Sequence, residues 1–296
     1  MFRGAAGMLN AMFALLLFLA TQTPLADRFA QIAQEAHGKV GAAAVLAETG
    51  ETVSLEGNTR FPMQSVYKFP IGMAVLHNVD QGTLRLDQEV TVSKADMAPP
   101  GLHSPIRDRF PDGVTLHLRD LLRFMVSESD GTASDVLLRL AGGPGAATTY
   151  LQGLGIHGIA VATSEAEMAT GPMVQYRNWA TPLEMAELLV KFQKGPGLSP
   201  PSRDLLMQWM TATQTFPGRL KGLLPPGTRV AHKTGSSGTT NGLTRATNDV
   251  GLITLPDGRH LALAVFVSDS TAPDDIRDAV IAKIARAAWD HFTNGK

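Results

Sequence analysis

Three short stretches of this sequence put reactive side chains at spacings that chemistry can use. The first is QSVYKFP, residues 64–70, with a hydroxyl at Ser65 and an amine at Lys68. Positions i and i+3 share a helical face, so the amine reaches the hydroxyl oxygen. A serine is a weak nucleophile until a base takes its proton, and a desolvated lysine can be that base. The apolar neighbours Phe61, Met63, Val66, Phe69 and Ile71 predict that this turn is buried. The pattern is short, however, and an exposed serine beside a solvated lysine would read the same way.

The second stretch, HKTGSSGT at 232–239, falls on a predicted strand. Alternation sets Lys233 and Gly235 on one side, Thr234 and Ser236 on the other. Such a strand offers backbone groups to an extended substrate, a cation and hydroxyls to a carboxylate, and no bulk at Gly235. A solvent-facing strand entering a flexible Gly/Ser loop is the plain alternative. The third stretch, VSESDGTASD at 126–135, breaks a helical pattern at Ser129-Asp130-Gly131. Either it presents a second hydroxyl, or Ser129 or Asp130 merely caps the following helix.

Ser-x-x-Lys, Ser-Asp-Gly and Lys-Thr-Gly occur in that order, on a helix, a loop and a strand. The set resembles the penicillin-binding proteins and serine β-lactamases, whose motifs are S-x-x-K, S-D-N and K-T-G. SEAEMATGPMVQYRNWATP, 164–182, resembles the omega loop of class A β-lactamases and is most similar in wording to the extended-spectrum PER and VEB group. GRLKGLLPPGT before the KTG strand and NDVGLITLPDG after it extend the likeness over essentially the whole chain beyond its first 26 residues.

The resemblance implies hydrolysis of the β-lactam ring of penicillins and cephalosporins through a serine acyl-enzyme, with no cofactor and no metal. It makes Ser65 the nucleophile, with Lys68, or Glu165 through a water, as its base. Ser129 would relay a proton to the leaving nitrogen. Glu165 would direct the water that frees the acyl-enzyme, with Glu167 as the second match for that place. The backbone N–H groups of Ser65 and Ser236 would hold the oxyanion. Lys233, Thr234 and Arg219 would meet the substrate carboxylate, and His103, in PPGLHSPI, matches an aromatic gatekeeper at the cleft mouth. An exposed surface arginine and a solvated loop histidine are the plain alternatives for the last two. Two departures matter: Gly131 stands where asparagine is common, and Ala169 where an asparagine usually shares the water. A penicillin sensor or D-Ala-D-Ala peptidase, acylated without turnover, is the rival reading.

The elements that must position these groups are also legible. An apolar run, 40–47, turns through Glu48-Thr49-Gly50 into 53–55, and strands return at 229–234, 249–255 and 260–268. Between them the pattern is mainly helical. Phe29, Ile32, Ala33 and Ala36 mark an amphipathic first helix that Gly38 is expected to stop, and a last helix runs from APDD to about Phe292. The fold class is therefore α+β: an antiparallel sheet built from both chain ends, flanked by terminal helices, with an inserted helical region. The expected division is a sheet domain of 27–63 and 209–296, a helical domain of 64–208, and an active-site cleft between them.

Composition narrows the partners. With 44% hydrophobic residues in 296 the chain can bury a large core, and a net charge of −1 without runs of one sign argues against nucleic acid. The absence of cysteine removes disulfides and thiolate chemistry, and the eight histidines form no HExxH or close pair. In residues 1–26, Arg3 precedes the apolar MLNAMFALLLFLA and small residues follow, the layout of a secretory signal peptide cut between Ala20 and Ala26. The expectation is an exported, periplasmic protein acting on a small molecule, monomeric and not held at the membrane.

Overall fold

The computed structural model describes residues 24–294. The expected leader lies outside them, apart from Pro24, Leu25 and Ala26. Leu25 is buried in the first turn of helix α1 (Leu25–Ala33). A short 3₁₀ turn follows, and the residue that ends it in the left-handed region is His37, not the expected Gly38. Gly38 is required for another reason: a Cβ there would lie 2.7 Å from the Ser270 backbone.

Strands β1 (Lys39–Leu46) and β2 (Thr52–Leu55) form the N-terminal hairpin, and β3 (Val230–Ser236), β4 (Thr247–Thr254) and β5 (His260–Ser268) come from the other end of the chain. They make one antiparallel sheet in the order β2-β1-β5-β4-β3. The two chain ends meet at β1 and β5, in register from Lys39 opposite Ser268 to Leu46 opposite Leu261. The two strands nearest the site extend past their expected limits: β3 continues through Gly235 and Ser236, and β4 begins at Thr247. β3 is an edge strand, paired only with β4.

Both faces of the sheet are covered, which explains why its strands read as continuous apolar runs. Ala42, Ala44, Leu46, Leu263 and Val265 face α1 and the last helix, whose Val280, Ile284 and Ala288 complete that core. Ala43, Val45, Val250, Ala264 and Phe266 face the inserted region instead. There α2 (Lys68–Asp80) is buried nearly all round, packed by α3 (Leu118–Ser127), α4 (Gly131–Leu140), the helix Pro144–Gly153 and α6 (Pro200–Thr211), while its Phe69 meets Phe192 of α5 (Pro182–Lys194) edge to face. α5 starts as its sequence demands, with Thr181 accepting from the Glu184 N–H and Pro182 in the first turn. The expected boundary at 208/209 falls inside α6, which packs on β3, so this helix spans the junction.

Small strand pairs add what periodicity does not predict. Glu89–Ser93 pairs with Gly113–His117, and Phe61–Pro62 with Trp179–Ala180. The second pair fixes the approach to Ser65, where Phe61 stacks on Phe266 of β5 at 5.9 Å between ring centroids. Phe266→Ala should therefore destabilise the protein by about 3–5 kcal/mol through cavity formation. Denaturant unfolding checks it, with the transition midpoint expected to fall.

Candidate active site

Ser65 lies in a 3₁₀ turn, Gln64–Tyr67, that runs directly into α2, so Lys68 follows it by one turn as expected. Lys68 Nζ is 3.0 Å from Ser65 Oγ and 2.7 Å from the Ser129 carbonyl. Glu165 Oε1 lies 2.8 Å from the same ammonium, an ion pair outside good hydrogen-bond angles. The lysine is 1% exposed and the glutamate 6%, so water does little to screen the pair.

Ser129 joins the two lysines. Its φ of 59° puts a non-glycine residue in the left-handed region. That conformation turns its carbonyl to Lys68, while its hydroxyl accepts from Lys233 Nζ at 2.9 Å. Lys233 also donates to the Thr234 carbonyl, and burial followed by the nearby Lys68 charge pushes its pKa well below the ordinary lysine range. Asp130 makes the expected cap, accepting from the Ala133 N–H. The hydroxyl and cap readings of this segment therefore hold together, on adjacent residues. Asp130 also takes the Ile106 N–H at 2.7 Å and the Ser104 hydroxyl at 3.2 Å, tying the 98–106 loop to α4. Burial raises its pKa against those bonds.

Gly235 faces the nucleophile. A Cβ there would fall 2.5 Å from the Met63 carbonyl and 3.1 Å from the Ser65 nitrogen, so only glycine lets β3 approach this closely. On the strand's other side, Thr234 Oγ1 meets Thr215 Oγ1 at 2.6 Å, and Ser236 Oγ accepts from Arg219 at 2.7 Å. Asn248, on β4, donates to the Pro62 and Met63 carbonyls and clamps the approach to Ser65 onto the sheet.

A cleft of about 530 Å³ opens over these groups. Ser65, Lys68, His103, Ser129, Glu165 and Ser236 line it, whereas Lys233, Thr234, Gly235, Arg219 and Gly131 sit behind its walls. The hydroxyls of Ser65, Ser129 and Ser236, the Lys68 ammonium and the Glu165 carboxylate meet along it, an arrangement that can activate a nucleophile.

The model of the β-lactamase enzyme family matches residues 24–292. The chain belongs to that family. Over 231 residues it is 47% identical to the extended-spectrum β-lactamase PER-1 of Pseudomonas aeruginosa, covering 78% of this chain and 75% of that one. The β-lactamase VEB-1 of the same organism is 37% identical over 97% of this chain and 96% of its own. A solved β-lactamase from Chitinophaga pinensis DSM 2588 superimposes with a TM-score of 0.89 at 46% identity, over 91% of this chain and all of that one. These relatives identify it as a class A enzyme of the PER and VEB kind.

Against that family pattern three positions acquire a physical account. Arg219 is buried, not a surface arginine; Asp278, the carbonyls of Gly235 and Asn248, and Ser236 Oγ occupy its guanidinium, which stacks on Phe216. The arginine that lines the cleft wall is Arg245. His103 lies at the rim, its ring nitrogen 2.8 Å from the Glu128 carbonyl, while its own carbonyl accepts from the Gly131 N–H. A Cβ at 131 would come within 3.1 Å of that carbonyl, so the 98–103 loop closes over the place where a side chain would start.

The 164–182 segment separates its two glutamates by environment. Glu167 closes a capping box with Ser164 and accepts from Thr163, whose hydrogen bond holds its pKa down, and it is exposed. Glu165 alone points into the cleft. Two residues that sequence reasoning passed over hold this segment. Asp135 accepts the N–H groups of Glu165 and Ala166 at 2.7 and 2.9 Å, and burial lifts its pKa to about 6. Asn178 bridges the neck, accepting from Ala162 and Thr163 and donating to the Thr163 carbonyl. Ala169 lines the cleft with Met168, Pro172 and Gln175.

Asp130→Ala should leave the buried Ile106 and Ala133 N–H groups without acceptors, costing about 3 kcal/mol or more. Amide exchange should quicken at those two residues first, and unfolding should start at lower denaturant.

Proposed function

We propose that this chain hydrolyses the β-lactam amide of penicillins and cephalosporins through an acyl-enzyme on Ser65, and so confers β-lactam resistance. The observation that carries this reading is Lys68 Nζ, 3.0 Å from Ser65 Oγ and 2.8 Å from Glu165 Oε1. Ser65 Oγ attacks the lactam carbonyl and gives its proton to Lys68, or to Glu165 through a water. The backbone N–H groups of Ser65 and Ser236 hold the oxyanion, donors that contribute on the order of 10²–10³ in rate. Ser129, receiving from Lys233, passes a proton to the leaving nitrogen as the C–N bond breaks. Glu165 then takes a proton from the water that attacks the ester, and Ser65 is released.

Lys233, Thr234 and Ser236 receive the substrate carboxylate, with Arg219 orienting the Ser236 hydroxyl. His103 and Gly131 shape the rim near the substrate's side chain. The likeness to PER-1, named an extended-spectrum enzyme, supports bulky cephalosporins among the substrates. The sheet portion, 27–63 and 209–296, and the helical portion, 64–208, act as two parts joined through α6, with the cleft between them. The composition of residues 1–26 supports export to the periplasm after signal cleavage. Among the described residues no helix is long and apolar enough to cross a membrane. The working unit is a single chain.

Ser65→Ala should abolish covalent labelling by a fluorescent penicillin, read by mass spectrometry of the intact protein; a label that persists would refute the mechanism. Glu165→Gln should still acylate but deacylate about 10²–10⁴-fold more slowly, so that the ester accumulates. Equal slowing of both steps would move the role elsewhere. Stopped-flow hydrolysis of a chromogenic cephalosporin separates the rival reading that Ala169 favours. A one-equivalent burst followed by a plateau would mean a sensor or peptidase; sustained turnover is expected.

A further inference from the structure

Beside the site, on the face of β3 that His232 shares with Thr234 and Ser236, lies a second polar arrangement that the mechanism above does not use. The side chains of His232 and Asp249 are fully buried there, with His232 Nδ1 2.9 Å from both carboxylate oxygens of Asp249. Facing two acceptors, Nδ1 carries the proton. The imidazole Nε2 has no partner among the described residues. Opposite His232 in the β3–β4 register stands Gly251, where a Cβ would fall 2.5 Å from the Ala231 carbonyl and 2.8 Å from His232 Cβ. The backbone is thus built to admit the ring. Asp249 also accepts the Leu220 N–H at 3.2 Å, and Leu220 follows Arg219, whose guanidinium holds the Ser236 hydroxyl.

The charges explain why a carboxylate belongs there. Besides its burial, Lys233 feels the charges of Lys68 and Arg219, which disfavour its proton, and those of Asp249 and Glu165, which favour it. Lys221, whose pKa burial lowers, also faces Asp249. Arg219 has Asp278 as a partner of its own. A cation left uncompensated in a dry interior is costly, so one buried anion beside β3 serves several neighbours.

We propose that Asp249, oriented by His232, is a positioning residue for this enzyme: it fixes the turn that carries Arg219 and supplies the buried negative charge that offsets Lys233 across the sheet. The proposal rests on the hydrolytic reading above, because its effect is exerted through the groups that receive the substrate carboxylate. With Asp249 neutral, Lys233 keeps only Glu165 against Lys68 and Arg219. Burial already disfavours its proton, so the proton leaves at lower pH.

The test is the pH profile of kcat/KM for a chromogenic cephalosporin, measured on the full chain and on Asp249→Asn, with circular dichroism and melting to verify folding. The alkaline limb should move down by about half a unit or more, and KM should rise about 10-fold with a smaller change in kcat. A folded Asp249→Asn protein with an unmoved alkaline limb overturns the proposal, since a merely structural tie would not shift it. Should that variant not fold, His232→Gln carries the test: the carboxylate stays but loses its orienting partner, and KM should rise several-fold with kcat near the wild-type value. An unchanged KM there overturns the proposal as well. The wild-type curve, run alongside, separates the two failures. A wild-type chain that neither turns over nor acylates overturns the hydrolytic reading and this one with it.

Discussion

Two lysine ammonium groups buried around one serine carbonyl and one serine hydroxyl form the constraint on which this structure depends. Lys68 donates to Ser65 and to the Ser129 carbonyl and pairs its charge with Glu165, and Lys233 reaches the Ser129 hydroxyl from the opposite wall. Burying a charge is tolerable only when its partners are held in place, because low dielectric strengthens both the attraction and the penalty for losing it. Much of the surrounding chain serves that end. Asp130 and Asp135 are themselves buried carboxylates, one fixing the loop at the rim and the other the segment that carries Glu165.

The sheet supplies the second half of the positioning. Its edge strand can lie against the nucleophile because Gly235 has no side chain to strike Met63, and because Asn248 draws the same backbone down from the adjacent strand. Two of the non-glycine residues with positive φ, Gln64 and Ser129, each lie beside a reacting group. Such conformations persist when their surroundings over-determine them.

Much of this was legible in the sequence, and the reasons differ by residue. The sheet strands showed as apolar runs because both faces are buried, and the Pro182 helix announced its own start. Ser65, Lys68 and Lys233 were legible because their chemistry needs specific types at fixed local spacing. The ties made by Asp135, Asn178 and Asn248 were not, since each acts across a long sequence separation and none lies in a local pattern. The burial of Arg219 was hidden for the same reason: its acceptors come from β3, β4 and the last helix. The hairpin Thr239–Thr240 with Leu243–Thr244 is different, because Asn241-Gly242 is a turn signal that could have been read; both residues hold positive φ. His37, which took the left-handed position expected of Gly38, shows the limit of such signals, since close packing against Ser270 claimed the glycine.

The placing of β5 between β1 and β4 has a consequence for the order in which the protein comes into being. The strand that joins the two ends of the chain is the last one synthesised. Until it arrives, β1 has only β2 beside it, and the β3–β4 pair has no strand to link it to that hairpin. The serine turn near residue 65 therefore waits, unclamped, for segments made some two hundred residues later. Contacts of such long range form slowly, since loop closure precedes any reward. The full surroundings of that turn are consequently assembled late, by topology alone.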